Sequence, residues 1–132
     1  MILKNCVCGS DKQFGQCCQP LLDDIRSAAT PEELMRSRYS AYALGGYGKY
    51  LLSTWFAPMA RDISSAELSR SDTEWIKLQI IDTGVEANSG WVEFKASYKD
   101  NNHIIEMHEK SVFTRQGLRW FYIGGEVSHR TQ

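Results

Sequence analysis

Apolar positions follow two different periods along the chain, and the change falls near residue 74. In the first half, apolar side chains between residues 34 and 43 recur every three or four positions, which predicts an amphipathic helix. Thr30 as the N-cap, Pro31 at the first helical position and Glu33 three residues after the cap predict where this helix begins.

Two shorter helices are predicted after the first. Gly45-Gly46 ends the long helix, because glycine adopts the left-handed conformation that closes helix ends. A second helix fits residues 47–56, and Ser64 as a cap predicts a third helix over residues 64–70.

The second half of the chain alternates apolar and polar residues with a period of two. This alternation is clearest from Val92 to Tyr98, and it predicts half-buried strands. The predicted strands cover residues 75–81, 91–99, 104–115 and 118–124. Helices followed by an antiparallel meander indicate an α+β fold, in which a curved sheet wraps around its helices and encloses a cavity.

The third predicted strand carries a carboxylate on its apolar face. Glu109 alternates with Met107 and Phe113, so it should point towards the core, where an unpartnered carboxylate is costly. Arg38 shares a helical face with Tyr42 and is the predicted partner. We therefore expect a Glu109–Arg38 ion pair inside the sheet.

The pair has two interpretations, which the sequence leaves open. Either it fixes how the helix docks on the sheet, or it belongs to a ligand or catalytic site. Six residues are candidates for the cavity wall, and none of them is assigned a catalytic role: Arg38, Tyr39, Tyr42, Trp55, Glu109 and Ser111. His108 is expected on the outer face, His103 at a turn and His129 in a terminal tail.

All four cysteines lie within thirteen consecutive residues: Cys6, Cys8, Cys17 and Cys18. Four thiolates on one short loop suit a tetrahedral zinc site, and such a site has no open position for a substrate. A redox pair, an iron–sulfur cluster and unmetallated thiols remain alternatives. Residues 1–5 do not form a secretory signal, so a reduced, cytoplasmic protein is expected.

The cysteine segment resembles the SEC-C zinc knuckle in its Cys-x-Cys-Gly-Ser start, the aromatic Phe14 and the Cys17-Cys18 pair. The rest of the chain resembles the uncharacterised YchJ-like family. The segments that carry this resemblance are residues 34–39, 54–55, 73–75, 108–113 and 120–125. The resemblance implies a zinc knuckle over residues 1–22 and a cone-shaped nuclear-transport-factor-two-like (NTF2-like) domain over residues 30–132.

The sequence departs from the family pattern in three places. Val7 stands where the knuckle usually has proline, the basic run between the cysteine pairs is thinned, and no second knuckle follows the last strand. Zn²⁺ held by four thiolates carries about two negative charges, so the knuckle is expected to be nearly neutral or slightly acidic.

The overall charge argues against nucleic acid as a partner. Fifteen basic and sixteen acidic residues give a net charge of −1, which leaves no basic surplus to neutralise phosphates. No apolar segment has the length of a membrane span, so no membrane association is expected.

Two functions are therefore predicted. The first is a non-enzymatic protein-interaction or scaffold module that uses the knuckle to contact a protein partner. The alternative is small-molecule binding, or an enzyme, in the cone cavity. A homodimer is one of the expected assemblies, since open sheet faces of this fold often pair.

Overall fold

The computed structural model describes residues 5–70 and 72–131. Residues 1–4 of the predicted knuckle, Ser71 before the sheet and Gln132 at the end of the predicted second domain lie outside the described residues. The helices are α1 (Gln19–Leu22), α2 (Pro31–Leu44), α3 (Gly48–Ser53) and α4 (Ser65–Leu68), with 3-10 turns at Phe14–Gln16 and Ala57–Met59. None of the helices in the described ranges is long and apolar enough to cross a membrane.

Helix α2 begins and ends where the sequence predicts. The Thr30 Oγ1 accepts a hydrogen bond of 3.1 Å from the Glu33 amide, and Gly45 closes the helix with φ at +75°. The Glu33 carboxylate departs from an ideal capping box, because it accepts from the amide of Ala29 (3.1 Å) and from Arg26 (2.9 Å). The Thr30 hydroxyl therefore caps the helix, and the Glu33 carboxylate ties down the segment that leads into it.

Helix α3 is shorter than the predicted 47–56. The chain leaves the helix after Ser53 because Thr54 and Phe56 pair with strand β4 (Arg119–Thr131). The Tyr122 amide donates to the Thr54 carbonyl at 2.8 Å, and the Phe56 amide donates to the Tyr122 carbonyl at 2.7 Å. This pairing places Trp55 against the sheet.

The predicted third helix is confirmed as α4, with the Ser64 Oγ accepting from the Glu67 amide at 3.1 Å.

Four antiparallel strands form one sheet in the order β1-β2-β3-β4. The other three strands are β1 (Glu74–Glu86), β2 (Ser89–Asp100) and β3 (His103–Gln116). The prediction for the last strand was wrong at its end, since β4 continues beyond Gly124 to Thr131. His129 consequently lies opposite Met107 in the ladder and not in a tail. Residues 125–131 are exposed and show no apolar alternation, because backbone pairing and few side-chain contacts hold them to β3.

The core lies between the concave face of the sheet and the helices. Strand β2 contributes Val92, Phe94 and Ala96, which are at most 2% exposed. The helices contribute Leu34 and Leu51, and the cluster extends without interruption to Cys6, Cys8 and Cys18. Helices packed on a four-stranded antiparallel sheet confirm the predicted α+β class.

Candidate functional site

The cysteines are brought together by two tight turns. Cys6 and Cys8 lie on a loop that the Cys6 amide closes by donating to the Lys12 carbonyl at 2.7 Å. Gly9 gives this loop its direction, because its φ of +82° strains any other residue type. Cys17 ends the first 3-10 turn, and Cys18 stands directly before α1. A loop, a 3-10 turn and the start of a helix follow one another here, and this succession brings four sulfur atoms together from a short segment.

The sulfur atoms have the spacing of a metal site. All four Sγ atoms lie within 4.8 Å of one another. The Cys8–Cys17 and Cys17–Cys18 sulfur distances are 3.6 and 3.9 Å. Tetrahedral Zn–S bonds of about 2.3 Å place their sulfurs about 3.8 Å apart, so these two distances match a zinc site, and the longest separation would have to close by about 1 Å. None of the four cysteines is in a disulfide.

Each thiol affects the ionisation of its neighbours. Hydrogen bonds with Cys18 and Cys6 lower the pKa of the Cys8 thiol, while hydrogen bonding with Cys6 raises the pKa of Cys18. Burial raises the pKa of Cys17. Formation of a first thiolate is thus favoured and formation of a second one beside it is opposed, because neighbouring negative charges repel. Four thiolates at this spacing need a cation among them, and a metal ion would supply it.

The cysteine lobe packs closely on α2. The Arg36 Nη1 donates to the Cys8 carbonyl at 2.8 Å, and its Nε donates to Glu32 at 2.9 Å. On the same helix, the Ser40 hydroxyl lies 3.7 Å from the Cys6 sulfur. The predicted division into residues 1–22 and 30–132 stays a prediction, but the contacts show that a metal site here would brace α2.

A second candidate site is the cavity of the cone. It is partly open and has a volume of about 210 Å³. Five of the six residues predicted for the cavity line it: Arg38, Tyr39, Tyr42, Trp55 and Glu109. The sixth, Ser111, is fully buried and donates a hydrogen bond to the Glu109 carboxylate. Whether any of them binds a ligand stays a prediction.

The predicted Glu109–Arg38 ion pair is wrong as a direct contact. Arg38, only 2% exposed, donates from Nη1 to the Leu51 carbonyl and to the Thr54 Oγ1, both at 2.7 Å. Its guanidinium carbon lies 5.1 Å from the centre of the Trp55 ring and 4.7 Å from that of Tyr122. The guanidinium therefore contacts neutral acceptors at the end of α3 and two aromatic faces. These groups take the place of the expected carboxylate.

Glu109 has partners of its own. Its Oε2 accepts from the Ser111 hydroxyl and from the Tyr122 hydroxyl, the latter at 2.9 Å. Glu109 is 7% exposed, as its predicted inward orientation requires. Two hydroxyl donors on one oxygen satisfy a buried carboxylate without a salt bridge.

Tyr122 also lines the cavity, and it was not among the residues predicted for the wall. It contacts both charges of the cavity, because its hydroxyl binds Glu109 and its ring lies under Arg38. Burial, followed by the nearby Glu109 charge, raises the pKa of its hydroxyl, and burial raises the pKa of Tyr39 to about 12. Both hydroxyls therefore act as neutral groups at ordinary pH. The only sequence signal for Tyr122 was its place in an apolar strand.

The Trp55 indole has a buried donor without an acceptor. Its Nε1 is the one buried side-chain nitrogen or oxygen that lacks a hydrogen-bond partner within residues 5–70 and 72–131. Buried indole N–H groups usually have a partner, so this exception calls for an explanation. The ring itself packs edge-on against Tyr122, with centres 5.4 Å apart.

The histidines lie away from the cavity wall. His108 is on the outer face as predicted, where its Nε2 lies 2.7 Å from Glu93. His129 is exposed and its ring centre is 6.3 Å from that of Tyr98. Neither residue is among those that line the cavity.

Comparison with known proteins agrees with this architecture. A sequence model of the YchJ middle NTF2-like domain matches residues 30–125. The solution structure of a SEC-C motif containing protein from Rhodopseudomonas palustris is 35% identical and has a TM-score of 0.85, covering 93% of this chain and 98% of that one. A crystal structure of a SEC-C motif containing protein from Psychrobacter arcticus is 26% identical with a TM-score of 0.78, covering 93% and 82%.

The fold and the cysteine cluster thus define the class: an NTF2-like α+β domain that carries a SEC-C-type cysteine knuckle. A UPF0225 protein of Pectobacterium carotovorum is 39% identical over 129 residues, which are 92% of this chain and 83% of the relative. One of Serratia proteamaculans is 39% identical over 126 residues, or 91% and 81%. The chain belongs to the YchJ-like UPF0225 family.

Proposed function

We propose that the protein binds a small molecule in the cone cavity and that the cysteine knuckle, loaded with zinc, stabilises the helix that forms one wall. The observation that carries this proposal is a buried cation beside a buried, unpartnered donor on the wall of a cavity. Arg38 is the cation and Trp55 is the donor.

A purely structural core would not be built in this way. Protein interiors pack to the density of organic crystals, and a void of about 210 Å³ forfeits the contacts that would fill it. Aromatic walls with a few convergent polar groups are instead typical of ligand pockets. Tyr42, Trp75 and Phe94 supply the apolar part of the wall, and Arg38 and Glu109 supply the polar part.

The proposal is binding rather than catalysis. Among the described residues that line the cavity there is neither a histidine nor a cysteine. The Glu109 carboxylate accepts hydrogen bonds from two hydroxyl groups, which fix its position in the wall. A receptor or carrier role is consistent with the absence of a nucleophile–base pair in this set.

The binding proposal predicts that narrowing the cavity removes ligand binding. A panel of single-ring compounds, some neutral and some charged, would be screened by protein NMR. At least one compound should shift the resonances of cavity-lining residues selectively. Ala96→Leu adds bulk at a position that lines the cavity, so it should lower the affinity for that compound by about tenfold or more.

Ser97→Leu is the matched control, since the neighbouring strand position faces the opposite side of the sheet. This variant should bind the same compound as the wild type does. The proposal fails if no compound shifts the cavity resonances, or if Ala96→Leu binds as tightly as the wild type.

We propose zinc as the metal of the knuckle. Four thiolates are soft ligands, and their sulfur spacing of 3.6 and 3.9 Å matches tetrahedral zinc. The closed donor set gives the metal a structural role. Through Arg36 and Ser40 the loaded knuckle would hold α2 against the sheet.

The zinc proposal predicts about one zinc ion per chain by elemental analysis of the purified protein. The double variant Cys17→Ser, Cys18→Ser should lose the ion. In the wild type, chelation should speed amide hydrogen exchange in residues 5–22 while the strands remain protected, and added zinc should reverse the change. A different metal, a metal-free wild type or unfolding of the whole chain on chelation would contradict this account.

A protein-interaction role of the knuckle is a second candidate. Two apolar residues are exposed on the cysteine lobe, Val7 at 45% and Ile25 at 76%. Val7 stands between two cysteines, so a zinc-loaded loop would present it rigidly. Exposed apolar side chains on a rigid loop are a common basis for protein contact.

This second candidate predicts that a protein captured from cell extract by the wild type is lost when both residues become serine. The double variant Val7→Ser, Ile25→Ser leaves the cysteines intact, so it should still bind zinc. Leu118→Ser is the control, because Leu118 is 93% exposed at the turn between β3 and β4. Equal capture by all three proteins would argue against the knuckle as the contact surface.

A further inference from the structure

We propose that the ligand of the cone cavity is a small organic acid with a single-ring or short apolar body, and that Arg38 and Trp55 bind its carboxylate. This inference rests on the proposed function and deepens it, since it names the chemical class that the cavity accepts.

Arg38 is a buried charge without a carboxylate in direct contact. No Asp or Glu within the described ranges forms a close ion pair with it, and its Nη1 donates to the neutral Leu51 carbonyl and Thr54 hydroxyl. Buried charges are normally paired, so this guanidinium lacks what a ligand carboxylate would provide.

The donor of Trp55 lies next to this charge. The Arg38 guanidinium carbon is 5.1 Å from the centre of the indole ring, and the indole Nε1 is buried without an acceptor. A carboxylate has two oxygens and about four acceptor positions. One group of that kind can therefore satisfy the guanidinium and the indole together, with charge-assisted hydrogen bonds to each.

Glu109 determines which way the acid would lie. Its Oε2 is held by Ser111 and Tyr122, which leaves its negative charge fixed in the wall. Repulsion from this charge directs the ligand carboxylate towards Arg38. A cationic ligand is disfavoured, because the guanidinium repels it and the Glu109 oxygen Oε2 already accepts two hydroxyl hydrogen bonds.

The size of the cavity limits the body of the acid. About 210 Å³ is below the range of roughly 300–1,000 Å³ that is typical of pockets for drug-sized ligands. The remaining wall is apolar, with Met35, Trp75, Phe94 and Met107 among its members. A single aromatic ring or a short aliphatic chain fits this space and buries apolar surface against it.

The test compares three compounds of nearly equal shape: phenylacetate, 2-phenylacetamide and phenethylamine. Binding is followed by NMR of the four tryptophan indole N–H signals, and the Trp55 signal is assigned by its loss in Trp55→Phe. Phenylacetate should move the Trp55 indole signal downfield. It should bind about tenfold or more tightly than the amide, and the amine should not bind.

Trp55→Phe keeps an aromatic ring and removes the donor, so phenylacetate affinity should fall roughly tenfold. Trp91→Phe is the matched control, because Trp91 is outside the cavity wall and donates to Asp82 at 3.4 Å. Its affinity should equal that of the wild type.

The outcomes separate this inference from the function on which it rests. If the amide binds as tightly as the acid, or if the acid binds without moving the Trp55 signal, acid recognition is wrong while cavity binding stands. If none of the three compounds affects the cavity resonances, acid recognition is likewise wrong. In that case the proposed function stands if another member of the single-ring panel binds in the cavity, and it fails if none does.

Discussion

The buried guanidinium of Arg38 is the interaction on which the rest of the structure depends. It arises from α2, bonds the end of α3 through Leu51 and Thr54, and lies against the Trp55 and Tyr122 rings. One side chain thus joins two helices to the last strand. Its burial lowers its pKa, and the neutral acceptors and aromatic faces around it offset the cost of burying the charge.

Helix α2 connects this cavity to the cysteine lobe. Its Arg38, Tyr39 and Tyr42 face the cavity, while Arg36 and Ser40 contact the loop that carries Cys6 and Cys8. A metal bound by the cysteines would therefore restrain the helix whose opposite side forms the binding wall. The small lobe and the cone are linked by contact, and a structural metal could influence ligand binding without touching the ligand.

The parts of the fold that the sequence could predict are those in which burial imposes a period or a cap imposes a residue type. Thr30 and Gly45 marked α2, and the alternation in β2 marked the core face of the sheet. The end of β4 could not be predicted, because residues 125–131 pair through backbone groups and bury little. Most of the cavity residues could be predicted from the helix or strand face on which they lie. The partners of Arg38 could not be predicted in this way. The face of a helix shows that a side chain points inwards, but it does not show whether a carboxylate or a set of neutral acceptors and aromatic rings lies opposite it.

The central claim is that Arg38 holds the helices to the sheet, and the free energy of unfolding of Arg38→Met tests it most directly. Lost hydrogen bonds and cation–π contacts should reduce this free energy by about 2–4 kcal/mol. Arg130→Met is the control, because its side chain is 75% exposed and makes a 3.4 Å contact with Glu106, so the change should stay within about 0.5 kcal/mol. An Arg38→Met protein as stable as the wild type would contradict the account.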